Sequence, residues 1–175
     1  MKLVWFPTWK CNNYADASRC PYCPYGWDND KQCLTFQGEQ SSYEGEINSN
    51  KIKEFLASNF DFLNGKVEIT GGEPLMYPYL ADVLDSNIKW AITSNTSMVE
   101  KVRKLASTGA LDRCFSWTAS WHPFSRREKE FTECVSTIVS KHVPVAVTVV
   151  VSEETLPRLK EIKDFLSGLP ITSIN

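Results

Sequence analysis

The chain has 175 residues, 21 acidic against 19 basic side chains and a formal net charge of −2. That length makes one domain the expectation and, by burying roughly 70% of the unfolded chain's surface, supports one real core. The even charge balance, with no Lys/Arg run, argues against nucleic acid or an anionic membrane surface as a partner. No apolar span or signal-peptide pattern is present, so the expected location is cytoplasmic and reducing, where cysteines serve metals or catalysis more than disulfides.

In chain order, short apolar or β-branched runs predict strands at "KLVWFP" (2–7), "KVEIT" (66–70), "KWAIT" (89–93), "RCFSWTA" (113–119), "VPVAVTVVV" (143–151) and "ITSI" (171–174). Amphipathic stretches fall between them. Ile52, Phe55, Leu56, Phe60 and Leu63 share one helical face. Pro78 suits the first turn of a second helix that carries Leu80, Val83 and Leu84. Ser97 with Glu100, and Ser125 with Glu128, read as capping boxes opening the third and fourth helices. A fifth helix runs through Leu156, Leu159, Ile162 and Leu166, with Gly168 as its stop. Residues 24–49 read as one long polar and aromatic loop, a length that is usually functional or mobile. Alternating βα units with continuously apolar strands predict α/β architecture. The fold expected is a parallel, partial TIM-like barrel of the (βα)6 type covered by helices, ending at or near its sixth strand. One domain over 1–175 is expected, with a cysteine loop at 9–49. The last strand falls at the end of the chain, which leaves either a short open barrel or the front part of something larger.

Six cysteines are unevenly spread. Cys11, Cys20 and Cys23 crowd into "WKCNNYADASRCPYC", while Cys33, Cys114 and Cys134 are scattered. Cys114 and Cys134 lie among apolar neighbours and read as core thiols. The clustered three leave alternatives open. An iron–sulfur cluster held by three cysteines keeps one iron open for a ligand, whereas four close it. Three thiolates with His122 make a Cys3His zinc site. Three unrelated buried thiols are the plainest reading.

In parallel α/β folds the chemistry gathers at the carboxyl ends of the strands. Those ends carry the cysteine loop, "GGEP" (71–74), "SNTS" (94–97), "SWHP" (120–123) and "SEE" (152–154). Cys11, Cys20, Cys23, Glu73, Asn95, Ser120 and His122 are therefore expected on one rim. Gly71 and Gly72 at a strand end let a ligand approach the backbone with no Cβ in the way, Glu73 offers a carboxylate, and Pro74 fixes the exit from the turn.

With Cys11, Cys20, Cys23, Tyr22 and "GGEP" in hand, the whole chain resembles the radical S-adenosylmethionine (radical SAM) superfamily. The resemblance implies a 4Fe–4S cluster on Cys11, Cys20 and Cys23, with SAM chelating the open iron. It places Tyr22 near the adenine. It puts Gly71, Gly72, Glu73 and Pro74 at the methionine end, with Glu73 near the SAM ammonium. Asn95 and Ser120 match more weakly, as polar contacts at the third and fourth strand ends. His122 is a candidate ligand or substrate contact. The usual CX3CX2C spacing is replaced here by CX8CX2C, and the usual glycine pattern on the fifth strand is absent, with "VTVVVSEE" in its place. These departures put the subfamily and substrate in question.

What the resemblance implies is reductive cleavage of SAM to a 5′-deoxyadenosyl radical, which takes hydrogen from an unidentified substrate. A small metabolite or nucleotide is favoured over a peptide, because no extra C-terminal cysteines are present. A flavodoxin- or ferredoxin-like one-electron donor is implied as partner. An incomplete barrel leaves a lateral side for a large substrate, a partner or a second copy. The rival reading is a non-catalytic iron–sulfur or Cys3His zinc protein. Trp5, Trp9, Tyr14, Tyr22, Tyr25 and Trp27 are candidates for shielding the site, against ordinary packing. Arg126 and Arg127 open a helix where their charge opposes its dipole, so a nearby anion would compensate them.

Overall fold

Every run predicted as a strand of the main sheet is one. The computed structural model describes residues 3–15, 20, 23, 26–28, 33–35, 47–84, 87–125 and 127–175. The chain begins with β1 (Val4–Trp5), α1 (Asn12–Ala15), β2 (Gly26–Asp28), β3 (Cys33–Thr35) and α2 (Ser49–Ser58). It continues through β4 (Lys66–Ile69), α3 (Leu80–Leu84), β5 (Lys89–Ser94), α4 (Val99–Ser107) and β6 (Cys114–Trp121). It ends with α5 (Glu128–Val139), β7 (Val145–Val149), α6 (Leu159–Ser167) and β8 (Ser173–Ile174). Six strands form one parallel sheet in the order β1-β4-β5-β6-β7-β8, a partial TIM-like barrel whose sheet does not close.

The strands are not continuously apolar in effect. Alternation, hidden by the β-branched composition, splits the sheet into two unlike faces. Val67, Ile69, Trp90, Ile92, Trp117, Ala119, Trp121, Val145 and Val147 point to the helices and are buried. Trp90 and Trp117 meet edge to face with ring centroids 6.2 Å apart. The opposite face carries Glu68, Thr70, Ala91, Thr93, Ser116, Thr118, Ser120, Ala146 and Thr148, half-buried or exposed. Register aligns Glu68 with Ala91 and Ser116, then Thr93 with Thr118 and Ala146, then Ser120 with Thr148. A space of about 240 Å³ lies over this face. The register slips between Trp90 and Ala91, so Phe115 is an extra residue on β6. It lines that space, and Lys66 Nζ sits 5.7 Å from its ring centre.

Several local expectations change. The stretch 24–49 is not uniformly loop, because β2 and β3 pair antiparallel within it. On α2 and its following turn only Leu56 and Leu63 of the predicted face are buried, while Phe55 and Phe60 are exposed. The face is narrower because α2 meets the body chiefly through α3. Neither capping box forms. Helix α4 starts after Met98 and α5 after Arg127, with no side-chain cap on either. The hydroxyls are engaged elsewhere: Ser97 with Asn95, and Ser125 with the His122 carbonyl at 2.8 Å. Helix α3 starts two residues after Pro78. Cys114 and Cys134 are core thiols as expected, and burial pushes both up to about 12. Tyr22, Tyr25 and Arg126 lie outside the described residues. Among the described residues, no helix is long and apolar enough to cross a membrane.

Candidate functional site

The cysteine loop is fastened to the end of β4 by backbone. Gly72 N donates to the Thr8 carbonyl at 3.2 Å, and Glu73 N donates to the Lys10 carbonyl at 2.7 Å. Thr8 is fully buried and its Oγ1 accepts from Lys10 N at 3.1 Å, which shapes the turn into Cys11. The two glycines serve this contact. Gly71 has φ +131°, and a Cβ there would lie 2.8 Å from the Thr8 oxygen. A Cβ at Gly72 would overlap the Lys10 carbonyl. The close approach inferred from "GGEP" is real, but it is this chain's own backbone that approaches at these Cβ positions.

Glu73 is buried and turned toward β5. Its Oε1 accepts from Leu75 N at 3.0 Å and from Ser94 Oγ at 2.8 Å, and its Oε2 accepts from Asn95 N at 2.7 Å. The carboxylate thus caps the one-turn helix Pro74–Met76 and ties the end of β4 to the end of β5. Desolvation outweighs these three hydrogen bonds and raises its pKa to about 7.

Past β5 a buried polar network joins three rim segments. Asn95 Nδ2 donates to Asn12 Oδ1 at 2.6 Å, Asn12 Nδ2 donates to Ser97 Oγ at 3.1 Å, and Ser97 Oγ donates to Asn95 Oδ1 at 2.7 Å. Arg127 also donates to Ser97 Oγ, at 3.2 Å. Thr96 takes a left-handed φ of 55°; its N–H donates to Ser94 Oγ and its Oγ1 accepts from Trp117 Nε1 at 3.0 Å. The indole of the buried sheet face therefore holds the site's loop in place.

The third cluster of groups surrounds Cys20. A turn joins Cys20 and Cys23 through Cys23 N donating to the Cys20 carbonyl at 3.0 Å. Cys20 is buried, and its Sγ lies 3.1 Å from His122 Nδ1 and 3.6 Å from Asn13 Nδ2. Burial pulls the His122 pKa down to about 4, so the ring is neutral at neutral pH. Cys11 and Cys23 are half-buried on the same loop. Ser120 stands two residues before His122, on the polar face of β6. Thus Cys20 and His122 meet, and Glu73 and Asn95 meet. Among the described residues, no three His, Cys, Asp or Glu side chains are gathered closely enough to hold a metal ion.

The donor set nevertheless suits an iron–sulfur group: three thiols on one loop, one pair of them joined by a tight turn. Asn13 adds a second sign, since its Oδ1 is buried beside Cys20 with no hydrogen-bond partner. Sequence reasoning missed Thr8, Asn12 and Asn13, and named Ser94, Thr96 and Ser97 only as part of the "SNTS" strand end, with Ser97 as a cap. The doubled Asn directly after Cys11 was the available signal for Asn12 and Asn13.

An open parallel α/β sheet with its polar constellation at the carboxyl rim defines the class of fold. Within that class, the chain is similar to SuiB of Streptococcus suis. It matches SuiB bound to its precursor peptide SuiA with a TM-score of 0.67 and 17% identity, covering 99% of this chain and 38% of that one. SuiB bound to S-adenosylmethionine gives 0.65, also at 17% identity, covering 99% and 39%. The chain therefore spans well under half the length of these structures, and the likeness is one of fold. No family model and no curated protein sequence matches the chain.

Proposed function

We propose that the chain is a radical SAM enzyme. The observation that carries this reading is the docking of the cysteine loop onto the "GGE" turn through Gly72 N to Thr8 O and Glu73 N to Lys10 O. That docking fixes the three-cysteine segment against the strand end that the superfamily resemblance assigns to SAM. The shared fold with a protein held with SAM supports it. In this reading Cys11, Cys20 and Cys23 hold a 4Fe–4S cluster, and Tyr22, Gly71, Gly72, Glu73, Pro74, Asn95, Ser120 and His122 line the SAM side. When bound, the cluster would supply the one electron needed for reductive cleavage of SAM to methionine and a 5′-deoxyadenosyl radical.

The chain's own residues do the positioning. Glu73 holds the ends of β4 and β5 at fixed spacing, so its side chain acts as a clamp and the ammonium contact falls to the backbone around it. The Asn12–Asn95–Ser97 network sets the entry of the cysteine loop. The hydroxyl-bearing face of the sheet offers the substrate side a water-like lining with room for a small molecule or one peptide side chain. The peptide-bound neighbour raises the weight of a peptide substrate, beside the small metabolite or nucleotide favoured from sequence. A flavodoxin- or ferredoxin-like donor is the proposed electron source, in the cytoplasm. The polar sheet face, which no helix covers among the described residues, is where a partner or a second copy would close the site.

A second reading is kept alive by one contact. His122 Nδ1 at 3.1 Å from Cys20 Sγ suits a Cys3His zinc site as well. Anaerobic reconstitution with iron and sulfide, EPR of the reduced protein with and without SAM, and chromatography of 5′-deoxyadenosine decide between them. A reduced-cluster signal that shifts with SAM, with 5′-deoxyadenosine formed, is the expected result. Stoichiometric zinc with no cluster overturns it.

A further inference from the structure

We propose that Asn13 and His122 are paired hydrogen-bond donors to the Cys20 sulfur, and that they set the redox poise of the group this sulfur holds. The inference rests on the reading that Cys11, Cys20 and Cys23 carry an iron–sulfur cluster.

Three observations carry it. The first is distance and burial: His122 Nδ1 at 3.1 Å and Asn13 Nδ2 at 3.6 Å converge on one buried sulfur from two elements far apart in sequence. Sulfur accepts at longer range than oxygen, so both fall within reach. The second is the orientation of the amide. Asn13 presents its N–H group to the sulfur while its Oδ1 stays buried without a partner. An orphaned buried carbonyl carries a desolvation cost that folding alone does not reward. The third is the way His122 is held. It leaves β6 just after Trp121, and the next turn is closed by Ser125, whose N–H and Oγ both donate to the His122 carbonyl. Arg158 donates to the adjoining Pro123 carbonyl at 3.2 Å. A cluster-bound sulfur has no proton to give, so the hydrogen of a contact at this distance belongs on Nδ1.

The direction of the effect follows from charge. Reduction adds one electron, taken from a low-potential one-electron donor, and part of that negative charge falls on the cysteine sulfurs. Donors aimed at a sulfur therefore stabilise the reduced form more than the oxidised form and raise the potential. Asn13 lies two residues after Cys11 in the CX8CX2C loop, so the loop that carries the cysteines also carries one of the donors.

The test is an EPR-monitored reductive titration of full-length protein, with iron content matched between samples. Asn13→Leu and His122→Phe remove one donor each, and His122→Gln keeps an amide donor. The expected result is a more negative midpoint for Asn13→Leu and for His122→Phe, a larger shift for the double variant, and recovery toward wild type in His122→Gln. Equal midpoints across variants that hold the cluster overturn the proposal and leave the enzyme reading standing. Wild-type protein labelled with ¹⁵N-histidine supplies a readout free of folding effects. A weak ¹⁵N coupling to the reduced cluster marks a hydrogen bond through Nδ1 and supports the proposal. A strong coupling marks His122 as a direct ligand, and no coupling places it out of contact; either overturns it. Zinc in place of a cluster ends both readings together.

Discussion

The two faces of the sheet are built on opposite rules. The face under the helices carries three tryptophans and a set of branched aliphatics packed to near-zero exposure. The other carries threonines, serines and alanines around an open space of about 240 Å³. Both come from the same strands, alternating residue by residue. Stability is concentrated on one face, and room for a ligand on the other. The carboxyl rim is where they join: Trp117 belongs to the packed face, yet its indole N–H fixes Thr96 in the loop of the site.

That contrast can be broken most forcefully at Trp117. Trp117→Ala removes the largest fully buried side chain of β6 and is expected to destabilise by about 3–5 kcal/mol, read by denaturant unfolding. An effect below about 1 kcal/mol would mean that the packed face is not the source of stability. The next effect is set by pH. In the folded state burial holds the Glu73 carboxyl above its ordinary value of 4.5, at about 7. The folded state then binds the proton more tightly. Its stability contribution is fully present at low pH and is lost as pH rises from about 4.5 to about 7. The total is about 3 kcal/mol. Glu73→Gln should flatten that slope, and a slope unchanged in the variant would assign the pH dependence to another group.

Gly72→Ala tests the fastening of the cysteine loop. Its Cβ meets the Lys10 carbonyl, so the expected cost is about 1–3 kcal/mol, with greater protease access near residue 10 and weaker iron retention. The smallest effect is expected on the open face. Thr118→Trp points into free space and should change stability by less than about 1 kcal/mol, while a substrate-dependent activity is lost. The same tryptophan at Ala119, one residue on, faces the packed side and should prevent folding.

The strands were legible because their runs are dense in Val, Ile, Thr and Trp. Which side of each run faces the helices was not, since "VAVTV" looks apolar throughout until Ala146 and Thr148 are seen half-buried on the face opposite the buried Val145 and Val147. The rim position of Glu73, Asn95 and His122 followed from topology. Their partners did not. Asn12 meets Asn95 across 83 residues, and Cys20 meets His122 across 102. Separations of that size leave no local periodicity to read. Ser97 and Ser125 show the reverse error: a cap motif was present, but the Ser97 hydroxyl is taken by Asn95, Asn12 and Arg127, and the Ser125 hydroxyl by the His122 carbonyl in the preceding turn. "GGEP" was rightly singled out for close approach, and what approaches at Gly71 and Gly72 became visible only with Thr8 and Lys10 in place.

The order of strand pairing has a kinetic consequence. From β4 to β8 every neighbour in the sheet is the next strand in the chain. Glu68 pairs with Ala91, and Ala91 with Ser116, across short connections. Val4 pairs with Glu68, so β1 must close a far longer loop. Closure entropy grows by about 0.6 kcal/mol per doubling of loop length, and β1 offers only two residues of ladder in return. The body from β4 onward is therefore expected to form first and to open last. The segment from Val4 through the first cysteine is the cheapest to release, and amide hydrogen exchange should show it fastest. In the proposed iron–sulfur reading, the group would enter a site hung on an edge strand that can step away while the sheet from β4 onward stays folded.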